Sequence, residues 1–196
     1  MVRPGRESLQ GVVEVDESYV GGRTPEKGRD GKAKQKLTYR TDALKSLIAI
    51  AVEIKQPKGF GRIRLRRVVD KSAQSILPFV HESAVVGSIV RTDGSWAYKT
   101  LAEHRYLHER TVVVGAEDAA HVTMPGVHRV ASLLKRWLLG THHGAIKPKH
   151  MDAYLNEFTF RFNRRTSRAR GLLFYRLLEQ AVVTNPVTYA DITNKS

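Results

Sequence analysis

Two carboxylates stand where strand chemistry could use them. Asp16 interrupts the apolar run VEVDESYVGG, and Asp93 closes IVRTDGSWAY just ahead of a glycine turn. Both sit in or at the end of a stretch with strand character, and acids at the ends of neighbouring strands can converge in space. Paired carboxylates are the hard oxygen donors that Mg²⁺ or Mn²⁺ takes. Two such ions, about 3.5–4 Å apart, activate an attacking oxygen and stabilise the leaving oxygen of a phosphodiester displacement. The other reading makes Asp16 an exposed edge residue and Asp93 a turn or cap residue. Glu14 and Glu17 flank Asp16; alternation along a strand puts Glu14 on the face of Asp16 and Glu17 on the opposite one.

Histidine is the second group with chemical capacity. Five of the eight histidines fall between His121 and His150. His128 opens a helical stretch seven residues before Lys135, two turns away, so both project to one face. His142 and His143 follow in a loop, and His150 begins the next helix. A three-histidine zinc site is conceivable, but no pair has the spacing of a recognised zinc motif. The chain has no cysteine, which excludes a thiol nucleophile, a disulfide scaffold and a cysteine-ligated zinc ribbon. There is no GxSxG element, no Gly-Lys-Ser/Thr phosphate loop and no dinucleotide fingerprint.

The elements that must position these residues follow from periodicity. A length of 196 residues fits one domain. Strands are predicted at residues 12–20, 47–54, 62–69, 88–92 and 112–114. In the third, Arg62, Arg64 and Arg66 alternate with Ile63 and Leu65, giving one buried face and one solvated basic face. Helices are predicted at 73–82, with Pro78 as a possible kink, from Ser95 to Leu101, and from Val127 to a stop at Gly140. Two more follow at about 149–164 and 172–182; Met151, Tyr154, Leu155, Phe158 and Phe162 of the first are core by their spacing. The sum is a mixed α/β sheet with helices packed against it and a helical C-terminal tail.

Charge points to the partner. Lys and Arg number 33 against 19 Asp and Glu, a formal net charge of +14. Such an excess favours a polyanion, most commonly nucleic acid. Between Arg129 and Arg176 there are eleven bases and two acids, Asp152 and Glu157. A second basic stretch, Arg23 to Lys45, is rich in Gly and Lys without periodicity and reads as a mobile surface loop over 22–44. The longest aliphatic run, Leu47 to Val52, is far too short to cross a bilayer, so no membrane partner is expected.

Four blocks in order, VEVDESYVGG, TDGSWAY, VHRVASLLKRWLLGTHHG and YLNEFTFRFNRR, resemble the catalytic domain of DDE-type insertion-sequence transposases, nearest the ISXO-like branch. The likeness runs over residues 11–182, leaving a short lead at 1–10 and a tail at 183–196. It implies a ribonuclease H-like fold, two divalent ions (Mg²⁺ or Mn²⁺), hydrolysis at transposon ends and strand transfer into target DNA. Asp16 and Asp93 match the family's first two metal-binding acids, and His128 stands at the third position, where Glu is common. Lys135 matches a basic residue that contacts DNA phosphate; with it go Arg136, Arg161, Arg164, Arg165, Arg168 and Arg170 as DNA-binding residues. Glu117 or Asp118 could substitute for the third acid. The resemblance also implies DNA as partner, a homo-oligomer, and a cytoplasmic, bacterial nucleoid-associated setting. The family's N-terminal DNA-reading region has no counterpart in the ten residues before the first strand. The competing expectation is therefore a truncated, catalytically inactive DNA-binding remnant.

Overall fold

The computed structural model describes residues 6–21, 45–55, 57–111, 124–143, 146 and 148–194. The expected basic loop at 22–44, the strand at 112–114 and the alternative acids Glu117 and Asp118 lie outside the described residues. Three long strands come first: β1 (Val12–Val20), β2 (Ser46–Ile54) and β3 (Phe60–Val68) form an antiparallel meander. After helix α1 (Ala73–Ser83), β4 (Ile89–Thr92) returns parallel to β1, and β5 (Leu107–Arg110) adds parallel to β4. The sheet order is β3-β2-β1-β4-β5. Helices α2 (Pro125–His142), α3 (Met151–Asn163), α4 (Gly171–Val182) and α5 (Tyr189–Asn194) complete the chain. A five-stranded mixed sheet of this order, flanked by helices, is the ribonuclease H-like arrangement. No helix among the described residues is long and apolar enough to cross a membrane.

The sheet is apolar on both faces because its strands alternate between two cores. Val13, Val15, Ala49, Ala51 and Val90 pack under α1 residues Ile76, Phe79 and Val80, with Tyr98 and Leu101 closing that side. Ile48, Ile50, Val52, Ile63 and Leu65 face the other way, under Val127, Val130, Leu134 and Leu138 of α2 and Met151, Leu155, Phe158 and Phe162 of α3. The core assigned to α3 by spacing is thus the observed one, with Tyr154 partly buried against it. α1 runs through Pro78, which is exposed on the solvent side of the helix.

Two local expectations are corrected, and one strand was not expected. β5 at Leu107–Arg110 lies in a segment whose side chains are mostly exposed and carry no apolar alternation; pairing to β4, not its own pattern, makes it a strand. Gly140 does not end α2. The helix continues to His142, whose ring contacts Trp137 at 5.4 Å and Tyr154 at 4.2 Å, and it stops where His143 turns left-handed at φ 51°. Nor is the basic face of β3 solvated: Arg64 is only 4% exposed, because the segment around Glu7 covers it and accepts from its guanidinium through the Glu7 carbonyl.

The outer edge of β3 is closed by α3. Asn163 accepts from the Ile63 N–H at 2.7 Å and donates to the Ile63 carbonyl at 3.2 Å, standing in for a neighbouring strand. Arg165 donates to the Gly61 carbonyl at 3.2 Å and also to that of Phe60.

Candidate active site

Asp16 and Asp93 meet where two parallel strands part. Val15 opposite Thr92 is the last pair of the β1–β4 ladder, so the two acids occupy the next position on each strand. Adjacent strands lie about 4.8 Å apart, which sets the carboxylates side by side at the carboxyl end of the pair. β1 continues to Val20, held by β2 on its other side. β4 ends because Asp93 folds into a turn. Its Oδ1 accepts the Ser95 N–H at 2.9 Å, and Ser95 in turn caps the short 3₁₀ turn Trp96–Tyr98. The Thr92 hydroxyl donates to the Asp93 carbonyl at 2.9 Å and lies 2.9 Å from the His108 Nε2.

Both acids are half-buried. Burial pushes the Asp16 carboxyl above its ordinary range, and repulsion from Asp93 adds to the rise; the Glu17 N–H at 2.7 Å, Lys71 and Lys135 pull it back. Lys71 was not foreseen from the sequence. Its Nζ lies 3.7 Å from Glu17 Oε2 and 6.0 Å from the centre of the Tyr19 ring, at the rim of the site. Glu17 points to the opposite face, as alternation required, and accepts from the buried Tyr98 hydroxyl. Burial raises the Glu17 carboxyl, and burial beside Glu17 holds the Tyr98 hydroxyl well above its usual value.

Glu14 organises the helix that faces the acids. It is 1% exposed, and its Oε2 accepts the Val127 N–H at 3.0 Å, with Gly126 donating to the same carboxylate. α2 begins with Pro125 after Met124, which offers no side-chain cap, so a carboxylate from β1 caps a helix 113 residues away. Negative charge at a helix N-terminus is favourable. Burial nevertheless raises the Glu14 carboxyl, opposed by Val127, Gly126, Arg91 and His128. The approach is so close that a Cβ on Gly126 would stand 2.7 Å from Ile54 Cδ1 and 2.8 Å from Glu14 Oε2.

This cap fixes α2 alongside β1. His128, in the first turn, acts on Glu14, whereas Lys135, two turns on, acts on Asp16. His128 is half-buried, and its Nε2 is a buried atom without a hydrogen-bond partner among the described residues. Among the described residues no group of three or more His, Asp or Glu is gathered to hold a metal ion. The fit to a hard divalent cation therefore rests on two members: oxygen donors placed side by side, with a mutual repulsion that such a cation relieves.

The remaining expected DNA-binding residues divide. Lys135 and Arg136 are exposed on α2. Arg161 is exposed and pairs with Glu157 at 3.2 Å. Arg164 lies over the Phe160 ring at 3.8 Å, and Arg165 is committed to the β3 edge and the Phe162 ring. Arg168 and Arg170 are exposed between α3 and α4.

Residues 8–163 match the family of ISXO2-like transposase domains, and the chain belongs to that family. No curated protein matches the sequence at a significant level. Among solved structures, the catalytic core of BIV integrase is similar at 14% identity and a TM-score of 0.46, over 88% of this chain and 97% of that one. A chain of the simian T-cell lymphotropic virus intasome structure is similar at 12% identity and a TM-score of 0.46; the match covers 80% of this chain and 49% of that chain.

Proposed function

We propose that this domain cuts DNA at the ends of an insertion sequence and joins the freed strand to target DNA. The observation that carries the reading is the placement of Asp16 and Asp93 on adjacent parallel strands at the point where the ladder ends. Asp16 and Asp93 would hold Mg²⁺ or Mn²⁺, with His128 as the third group by family resemblance; when bound, the ions supply Lewis-acid activation and charge neutralisation at the phosphate. Lys135 and Lys71 set positive charge beside the acid pair and attract the phosphodiester. The Asp93 turn and the Glu14 cap keep these groups in register. In the first reaction water attacks the phosphorus and a 3′-hydroxyl leaves; in the second that hydroxyl attacks a target phosphodiester, a new P–O bond forms, and the target strand's own 3′-oxygen leaves as a hydroxyl. DNA is the partner, and pairing of two ends calls for a homo-oligomer.

One observation favours a second reading. His128 stands where the family commonly has Glu, and no three-member metal group forms among the described residues, as in a DNA-binding domain that has lost turnover. Nicking and joining on supercoiled plasmid with Mn²⁺ or Mg²⁺ separates the two. The native chain should nick and join, and Asp93→Asn should lose roughly a thousandfold or more while still binding DNA. Equal nicking by both proteins removes Asp93 from the site. No nicking by either, with binding intact, selects the remnant.

A further inference from the structure

A second concave site lies on the other side of the sheet's β3 edge. A cavity of about 280 Å³ opens between the Arg6–Glu7 segment, β3, α3 and α4. Arg6, Arg62, Arg64, Arg164 and Arg176 line it, and among the described residues Glu7 is the only lining carboxylate. That carboxylate is engaged: Glu7 Oε2 lies 3.0 Å from Arg62, which Glu53 also holds at 3.0 Å. Among the described lining residues, guanidinium groups outnumber carboxylates.

Arg64 is the group that this cavity serves least. Its residue is 4% exposed, it donates to the Ile63 carbonyl at 3.0 Å and to that of Glu7, and its Nε has no hydrogen-bond partner among the described residues. Glu53 and Glu7 favour its charge from a distance but are paired with Arg62, so a buried cation is left with shared compensation that an incoming anion would complete. Burial, with Arg6 and Arg62 nearby, lowers the Arg64 guanidinium to about 10. Gln180 Oε1, also lining the cavity, has no partner either; rotating that amide turns its NH₂ donors inward.

The place is distinct from the acid pair. Arg64 is opposite Ala51, and Ala51 is opposite Val15, so Arg64 stands two strands from β1 and on the face away from Asp16. The planar forks of several arginines match the oxygens of a phosphate, and the volume admits a phosphate with part of an attached sugar.

We propose that this cavity is a phosphate-binding site that takes a backbone or terminal phosphate of a DNA strand, remote from the acid pair. Only the identity of the strand rests on the transposition reading; the anion site does not.

The test begins without DNA. Inorganic pyrophosphate should raise the melting temperature of the native chain with saturation. Arg176→Ala, at an exposed residue of α4, should abolish the shift, as should the volume-matched Arg64→Met. If Arg64→Met fails to fold, Arg176→Ala carries the result alone. Binding of a labelled duplex against salt is then measured for the same proteins. Each variant should lower the salt slope by about one. An unchanged pyrophosphate response in Arg176→Ala overturns the site, as does the absence of any response in the native chain. A pyrophosphate response lost in the variants with unchanged DNA slopes overturns the strand and leaves free phosphate as the ligand. None of these readings depends on nicking, so a chain that never cleaves DNA can still fill this cavity, and the reverse.

Discussion

Asp16 carries a charge that the fold makes costly. Burial and Asp93 together raise its carboxyl above the unfolded value of about 3.9. The folded chain then binds that proton more tightly than the unfolded chain does. The penalty is absent below the unfolded value, grows as pH rises, and is fully present above the raised folded value. Asp16→Asn should therefore raise the melting temperature by a few degrees at neutral pH while removing turnover. Melting curves from pH 3 to 8 should show the two proteins converging toward the acid end. A gap that stays constant over that range would mean that the charge of Asp16 is not what strains the site. Glu14 is raised by burial and is common to both proteins, so it cancels in the difference; Glu17 is raised by burial and also by Asp16, so its own penalty eases in Asp16→Asn and adds to the gap.

At the scale of elements, the docking of α2 on β1 decides whether the site exists. Glu14→Ala would leave the Gly126 and Val127 N–H groups buried without an acceptor, a loss of about 1–3 kcal/mol. Glu14→Gln keeps an acceptor and should recover most of that loss in urea unfolding; equal damage from both substitutions would assign the role to charge alone. Gly126→Ala forces a Cβ against Ile54 and Glu14 and should cost about 1–3 kcal/mol with a fall in nicking, because the helix must shift to admit it. Alternation in VVEVDESYV was enough to place Glu14 and Asp16 on one face and Glu17 on the other. It could not reveal the cap, whose donors lie 113 residues downstream. β5 was illegible because Leu107–Arg110 carries no apolar alternation and is recruited by β4. Gly140 misled because a glycine inside a helix costs only about 1 kcal/mol, which the packing of Leu138 and the ring contacts of His142 outweigh. Asp16 and Asp93 were legible as acids at strand ends, whereas Lys71 carries no sequence signal: its role comes from where the start of α1 falls.

For the whole molecule, the proposed DNA partner and a net charge of +14 together predict association driven by counterion release. The logarithm of affinity should fall linearly with the logarithm of salt, at about 0.9 per phosphate neutralised. Titrations between 50 and 200 mM salt would check this, and a flat response would detach the charge from the function. The long reach of the Glu14 cap has a last consequence, for how the chain acquires its structure. All five strands precede α2 and α3, so during synthesis the sheet can form before its second cover exists. Until those helices arrive, Ile48, Ile50, Val52, Ile63 and Leu65 face water and Glu14 waits for its donors. Contacts of such sequence separation close slowly, and a half-covered sheet is the species that aggregates. Substitutions that weaken the cap should therefore lower soluble yield more than they lower the stability of the finished domain.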